Sequence, residues 1–129
     1  MDDPVRKYCL QMGYAQHVVE GGLDYLVISW EKTVAETAVG YSLGFDDFLN
    51  DMDGRRILAE ILSVATEEQK HSIEARLKKA DELFIASTAE SSGCIWGKNN
   101  EGQLGYSREK NWYYYRVPIV LPDWSVTQW

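Results

Sequence analysis

Eight carboxylates crowd one quarter of this 129-residue chain: Glu20, Asp24, Glu31, Glu36, Asp46, Asp47, Asp51 and Asp53, opposed there by Lys32 alone. The rest of the chain holds twelve acids and twelve bases, so the formal net charge of −7 is the charge of that stretch. Carboxylates so grouped could ligate a hard cation, exchange a proton, or attract a cationic partner through their field. Each chemistry makes its own demand on spacing.

The cation reading is tested first at Asp51-Met52-Asp53-Gly54 with Glu60. Taking Gly54 as the sixth position of a calcium loop puts acids at the third, fifth and twelfth positions. The first position is then Leu49, which offers no oxygen, and the apolar eighth position is Arg56. A continuing helix fits better. His17 with Glu20, and Glu68 with His71, have the i,i+3 spacing of carboxylate-bridged bundle sites. Helical phase turns Glu68 and His71 away from Ile73 and towards water, and His17 sits just before a Gly-Gly break. No metal site and no cofactor is expected, and the fallback enzymatic reading uses the Asp46–Asp53 carboxylates on a divalent ion, with His17 or His71 as ligand or base.

Nucleophilic chemistry finds little support. Ser107-Arg108-Glu109-Lys110 matches S-x-x-K without its companion elements, so Ser107 is expected to cap a helical turn. There is no G-x-S-x-G, Walker A or G-x-G-x-x-G motif. Cys94 lies between apolar neighbours that raise a thiol pKa. Cys9 and Cys94 have no CxxC spacing, and two free thiols in a reducing compartment are the expectation. No catalytic residue is assigned. A sequence pI of about 4.8 opposes phosphate contact, so nucleic acid is not an expected partner.

The elements that must position these groups emerge from hydrophobic spacing. Pro4 to Tyr14 reads as a short helix ended by Gly13, and Gly21-Gly22 interrupts whatever Ala15 to Glu20 form. Leu23, Leu26 or Val27, Trp30, Val34, Thr37 and Tyr41 recur every three or four residues, with Gly40 and Gly44 bracketing the end. A second helix is expected after Phe45, with Asp46 as N-cap and Asp47 in the first turn, and with a kink or restart at Gly54. Thr66-Glu67-Glu68-Gln69 is a capping box opening a third helix along Ile73, Leu77, Ala80, Phe84 and Ser87. The fold class is therefore mainly α, a three-helix bundle with a four-helix variant open.

After Ser92-Gly93 the character changes. Eight of the sixteen aromatic residues fall from Trp96 onward. An aromatic-rich, extended tail over about 93–129 is expected across a helical core of about 4–92, in one domain, with one short hairpin involving Cys94 to Trp96. Core packing is the first role expected of these rings, and a π-rich binding surface the second. The acidic amino terminus and the lack of a long apolar run point to a cytoplasmic protein with no membrane partner.

Two segments carry a resemblance. Gly44 to Arg56 (G-F-D-D-F-L-N-D-M-D-G-R-R) and Asn111 to Arg116 (N-W-Y-Y-Y-R) resemble a group of small uncharacterised bacterial proteins that pair a D-D-Y-L-N-D-like helix with a late N-W-W-Y-F-R-like segment. It covers Trp30 to Pro118 and implies a bacterial origin, and no mechanism.

At helical phase, Asp46, Asp47, Asn50, Asp51 and Asp53 lie away from Phe48, Leu49 and Met52 and form a polar ridge. It contains no base before Arg55, whereas most helix surfaces interleave opposite charges. The leading expectation is a non-catalytic binding module of the immunity or antitoxin-inhibitor type. Glu31, Asp46, Asp47, Asp51 and Asp53 would engage a basic protein partner, a toxin or nuclease, with Trp112 and Tyr114 as aromatic anchors. A subunit of an assembly or a homodimer is the other alternative.

Overall fold

The computed structural model describes residues 3–119. In chain order it contains α1 (Pro4–Gln11), α2 (Gln16–Val39), α3 (Phe45–Val64), α4 (Glu67–Ala86), β1 (Thr88–Glu90), α5 (Lys98–Leu104), a 3-10 turn (Trp112–Tyr115) and β2 (Arg116–Pro118). The fold is a helical bundle carrying one small antiparallel hairpin and an aromatic-rich C-terminal region. α2 is its centre, packing on α1, α3 and α4.

α1 and α4 begin where the sequence offers a side-chain acceptor. Asp3 caps α1, taking the N–H groups of Val5 at 3.0 Å and Arg6 at 3.3 Å, with Pro4 in the first turn. The Gln69 amide also donates to Asp3 at 3.0 Å, so the starts of α1 and α4 are tied together. The Thr66 capping box forms as expected: Gln69 N–H donates to Thr66 Oγ1 at 3.1 Å, and Thr66 N–H to Gln69 Oε1 at 2.9 Å.

The break at Gly21-Gly22 is real but narrow. Gly22 has φ 57 and ψ −143, a conformation closed to side chains with a Cβ, and helical geometry resumes at once. α3 starts earlier than expected. Gly44, and not Asp46, is the cap, because the Asp47 carboxylate reaches back to Gly44 N–H at 3.2 Å. The kink expected at Gly54 is absent, and α3 runs unbroken through it. Glycine costs a helix interior roughly 1 kcal/mol. Phe48, Met52, Leu58 and Ile61, all 0% exposed, flank it, and full burial of each such side chain contributes roughly 1.5–3 kcal/mol. Packing wins.

The carboxyl-terminal region departs most from expectation. Cys94–Trp96 form no strand. β1 pairs with β2 instead, Thr88 opposite Pro118 and Glu90 opposite Arg116. Ile95 N–H still donates to the Tyr114 carbonyl at 2.8 Å, so that segment meets the aromatic run through one bond. The expected β character of Trp112 to Val117 survives only in β2. Tyr113, Tyr114 and Tyr115 are all buried, which a strand with one face open to solvent does not achieve. The 3-10 turn points successive rings in different directions, each into its own part of the core. Among the described residues, then, these aromatics are core. Trp124 and Trp129 lie outside the described residues, as does the rest of the expected tail beyond Ile119. No helix among the described residues is long and apolar enough to cross a membrane.

Candidate binding surface

The acidic stretch maps onto α2 and the first half of α3, and the fold treats its members unequally. On α2, Asp24 and Glu31 project towards α4 and share one arginine. Arg76 Nη1 donates to Asp24 at 2.9 Å and Nη2 to Glu31 at 2.7 Å. On α3, Asp53 accepts from Arg56 Nε at 2.8 Å and from the Tyr114 hydroxyl at 3.3 Å, and Arg56 also reaches Glu60 at 2.6 Å. Glu31 and Asp53 are thus neutralised within the molecule.

Glu20, in the first turns of α2, accepts only from the Gln16 amide at 2.8 Å, and Glu36, Asp46, Asp47 and Asp51 likewise make no ion pair among the described residues. The last four are the ones that form a group. They gather where α2 ends and α3 begins, on either side of residues 40–44. Asp46 and Asp47 are exposed in the first turn of α3, where the helix dipole favours them. Asp51 is partly buried and accepts from the Tyr41 hydroxyl at 2.6 Å. Its carboxyl pKa is pushed up by burial, and then by the field of Glu36 and Asp47, against the Tyr41 bond and Lys32. Burial is the larger cause, and Glu36 and Asp47 add to it.

The two aromatic candidates do not join this corner. Tyr114 is 0% exposed, edge-on to Tyr106 and Tyr113, and so presents no surface to a partner. Trp112 is half-buried on the other side, against Phe84 and Tyr113, in a cleft shared with Arg108 and Arg116. The apolar groups beside the acids are instead Val39, 87% exposed, and Leu43, 45% exposed. Neither is among the site residues expected from the sequence, although Val39 closes α2 directly before Gly40, between Glu36 and the acids of α3.

The carboxylates do not converge as a metal centre would require. Asp47, Asp51 and Asp53 bond respectively to a backbone amide, a phenol and an arginine. Among the described residues no group of three or more His, Cys, Asp or Glu side chains is placed to hold a metal ion. Asp51 to Glu60 lie inside α3, so the calcium-loop spacing has no loop to act in. His71 is exposed at 3.7 Å from Glu74, and His17 packs edge-on to Tyr25. Ser107 closes a turn, its Oγ taking Lys110 N–H at 3.2 Å. Cys9 and Cys94 are buried and free, with burial raising both thiols.

The sequence did not expose the residue that partitions the stretch. Arg76 lies 45 residues from Glu31 and 52 from Asp24 along the chain, and only the packing of α4 on α2 brings them together. Comparison with protein-family models, with curated proteins and with solved structures finds no match for this chain.

Proposed function

We propose that the protein is a non-catalytic acidic binding module that recognises a basic surface on another protein, in the manner of an immunity or antitoxin-type inhibitor. The observation that carries this reading is the division of the acidic stretch. Asp24, Glu31 and Asp53 are matched by Arg76 and Arg56, while Glu36, Asp46, Asp47 and Asp51 stay together and unopposed except by Lys32. Like charges held close cost stability, and such a cost is characteristic of a surface shaped for contact. The unopposed field would steer encounter with a cationic partner, and Val39 and Leu43 would supply apolar contact at its edge.

The test is capture from the native host at low salt, followed by association kinetics with the captured protein. The rate should fall steeply between about 50 and 500 mM salt as charges are screened. It should drop about tenfold or more for the combined Glu36→Gln, Asp46→Asn, Asp47→Asn variant. A partner bound equally fast by that variant would remove the proposal. The metal-enzyme alternative gains no support from the divergent carboxylates.

A further inference from the structure

α2 and α3 do not close on each other along their whole length. Between them lies a cavity of about 210 Å³, with Ser29, Trp30 and Thr33 on the α2 side and Asn50, Asp51 and Gly54 on the α3 side. Two of its features are hard to explain as packing. Thr33 is only 8% exposed, yet its hydroxyl has no hydrogen-bond partner among the described residues. A buried helical threonine ordinarily bonds back one turn, as Thr37 Oγ1 does to the Thr33 carbonyl at 2.8 Å. Gly54 has no steric reason to be glycine. A Cβ there would meet nothing within 4 Å, and alanine is the better helix former. A side chain at 54 would take up part of the cavity, and glycine leaves it open.

The polar groups lining the space offer separated oxygens. Asp51 gives one carboxylate oxygen to Tyr41, and the other takes no hydrogen bond among the described residues. Ser29, partly exposed, and Asn50, exposed, line the space from facing helices. We propose that this cavity binds a primary alkylammonium group, which donates to Asp51 and to the hydroxyls of Ser29 and Thr33 while its chain lies along the Trp30 ring. An ammonium is a compact charge with three divergent donors, which suits oxygens spread over two helices. A guanidinium is held best by a carboxylate with both oxygens open, and Asp51 already has one oxygen engaged. A divalent metal would find Asp51 as the one carboxylate lining the space, and no group of three or more His, Cys, Asp or Glu side chains among the described residues is placed to hold it. An anion would meet Asp51 and the field of Glu36 and Asp47. Arg55 also borders the space, but its charge is matched by a two-point bond to Asp81 at 3.2 and 3.0 Å. The site deepens the proposed function by naming lysine as the basic group a partner would insert, and it rests on that function only for the source of the amine.

The experiment uses the protein alone, titrated with n-butylammonium and with 1-butanol while the Gly54 and Asn50 amides are followed by NMR. Saturable shifts in the millimolar range with n-butylammonium, at least tenfold weaker with 1-butanol, are the expected result. Gly54→Ala should melt a few degrees higher and still bind n-butylammonium at least tenfold more weakly; Asp51→Asn should also lose binding while staying folded. Equal affinity for the alcohol, undiminished binding by Gly54→Ala, or no saturable shift would each overturn the site. Entry of N-acetyl-lysine methylamide as readily as n-butylammonium assigns the amine to a protein side chain, and its exclusion assigns it to a free amine. Intact n-butylammonium binding beside salt-insensitive capture of a partner would sink the partner reading and leave the cavity site standing.

Discussion

Arg55 and Arg76 do the same chemistry in opposite surroundings. Each is held by carboxylates on neighbouring helices, Arg55 by Asp81 of α4 and Arg76 by Asp24 and Glu31 of α2. The Arg55 side chain is 8% exposed and that of Arg76 39%. Around Arg55 the rings of Trp30, Trp112 and Tyr113 stand 5.4–5.7 Å from the guanidinium carbon. Trp30 Nε1 completes the knot by donating to Asp81 at 2.9 Å. Four elements, α2, α3, α4 and the 3-10 turn, therefore meet at one buried cation. Arg76 has no such roof. Water competes for its charge and for its partners, so its bonds hold little of the fold together. Burial decides which ion pair is structure and which is only electrostatics.

The sharpest way to break that contrast is Arg55→Ala. It leaves Asp81 partly buried, with Trp30 as its remaining side-chain donor, and opens the space between three rings. A loss of about 3–5 kcal/mol in urea unfolding is expected, the range for stripping one partner from a buried pair. The double variant Arg55→Met, Asp81→Asn keeps an acceptor for Trp30 without the uncompensated charge and should recover over half of that loss. A single variant that loses under about 1 kcal/mol would mean that the rings, and not the cation, hold the junction.

Asp51 stands between the two extremes, partly buried and bonded to a neutral phenol. Its folded pKa lies above the ordinary carboxylate value of 3.8, because burial and then Glu36 and Asp47 disfavour the charge. The folded state therefore holds this proton more tightly than the unfolded chain does. Its contribution to stability is fully present below that ordinary value, falls as pH rises through the folded pKa, and stays lost above it. Asp51→Asn keeps an acceptor for Tyr41 and removes the charge. It should raise the stability at pH 7, by less than about 1 kcal/mol for a partly exposed group, with the gain shrinking towards pH 4. Urea titrations at pH 4, 5.5 and 7 check the sign, and an asparagine variant less stable at pH 7 would place the Tyr41 bond above the cost of burial.

These contrasts also mark what can be read from the chain without its structure. The capping box at Thr66, the break at Gly21-Gly22 and the stripe from Leu23 to Tyr41 were legible because each is settled within a few residues. The carboxyl-terminal arrangement was not, because its bonds are long-range: Tyr114 meets Asp53 across 61 residues and Arg116 meets Thr88 across 28. The uneven charge was visible as composition. Its division into matched and unmatched carboxylates depended on how α4 lies against α2, and no local pattern encodes that. Core packing was the first role expected of the aromatic run and a binding anchor at Tyr114 the second; the 3-10 turn places Tyr114 in the core.

Arg76 gives the smallest expected change in stability and the most telling change in behaviour. Arg76→Gln should leave the urea midpoint where it was, since the fork is open to water and both acids can be solvated instead. It also releases Asp24 and Glu31 from their cation, which extends the unopposed field from the α2–α3 corner along α2 towards its first turns. A cationic partner should then associate faster at low salt, with a steeper salt dependence, while dissociation changes little because no contact is added. Stopped-flow association at about 50 and 300 mM salt reads both quantities. A variant with unchanged association would show that the partner senses the corner alone, within a Debye length of about 10 Å at 0.1 M salt, and that the matched acids of α2 lie outside its reach.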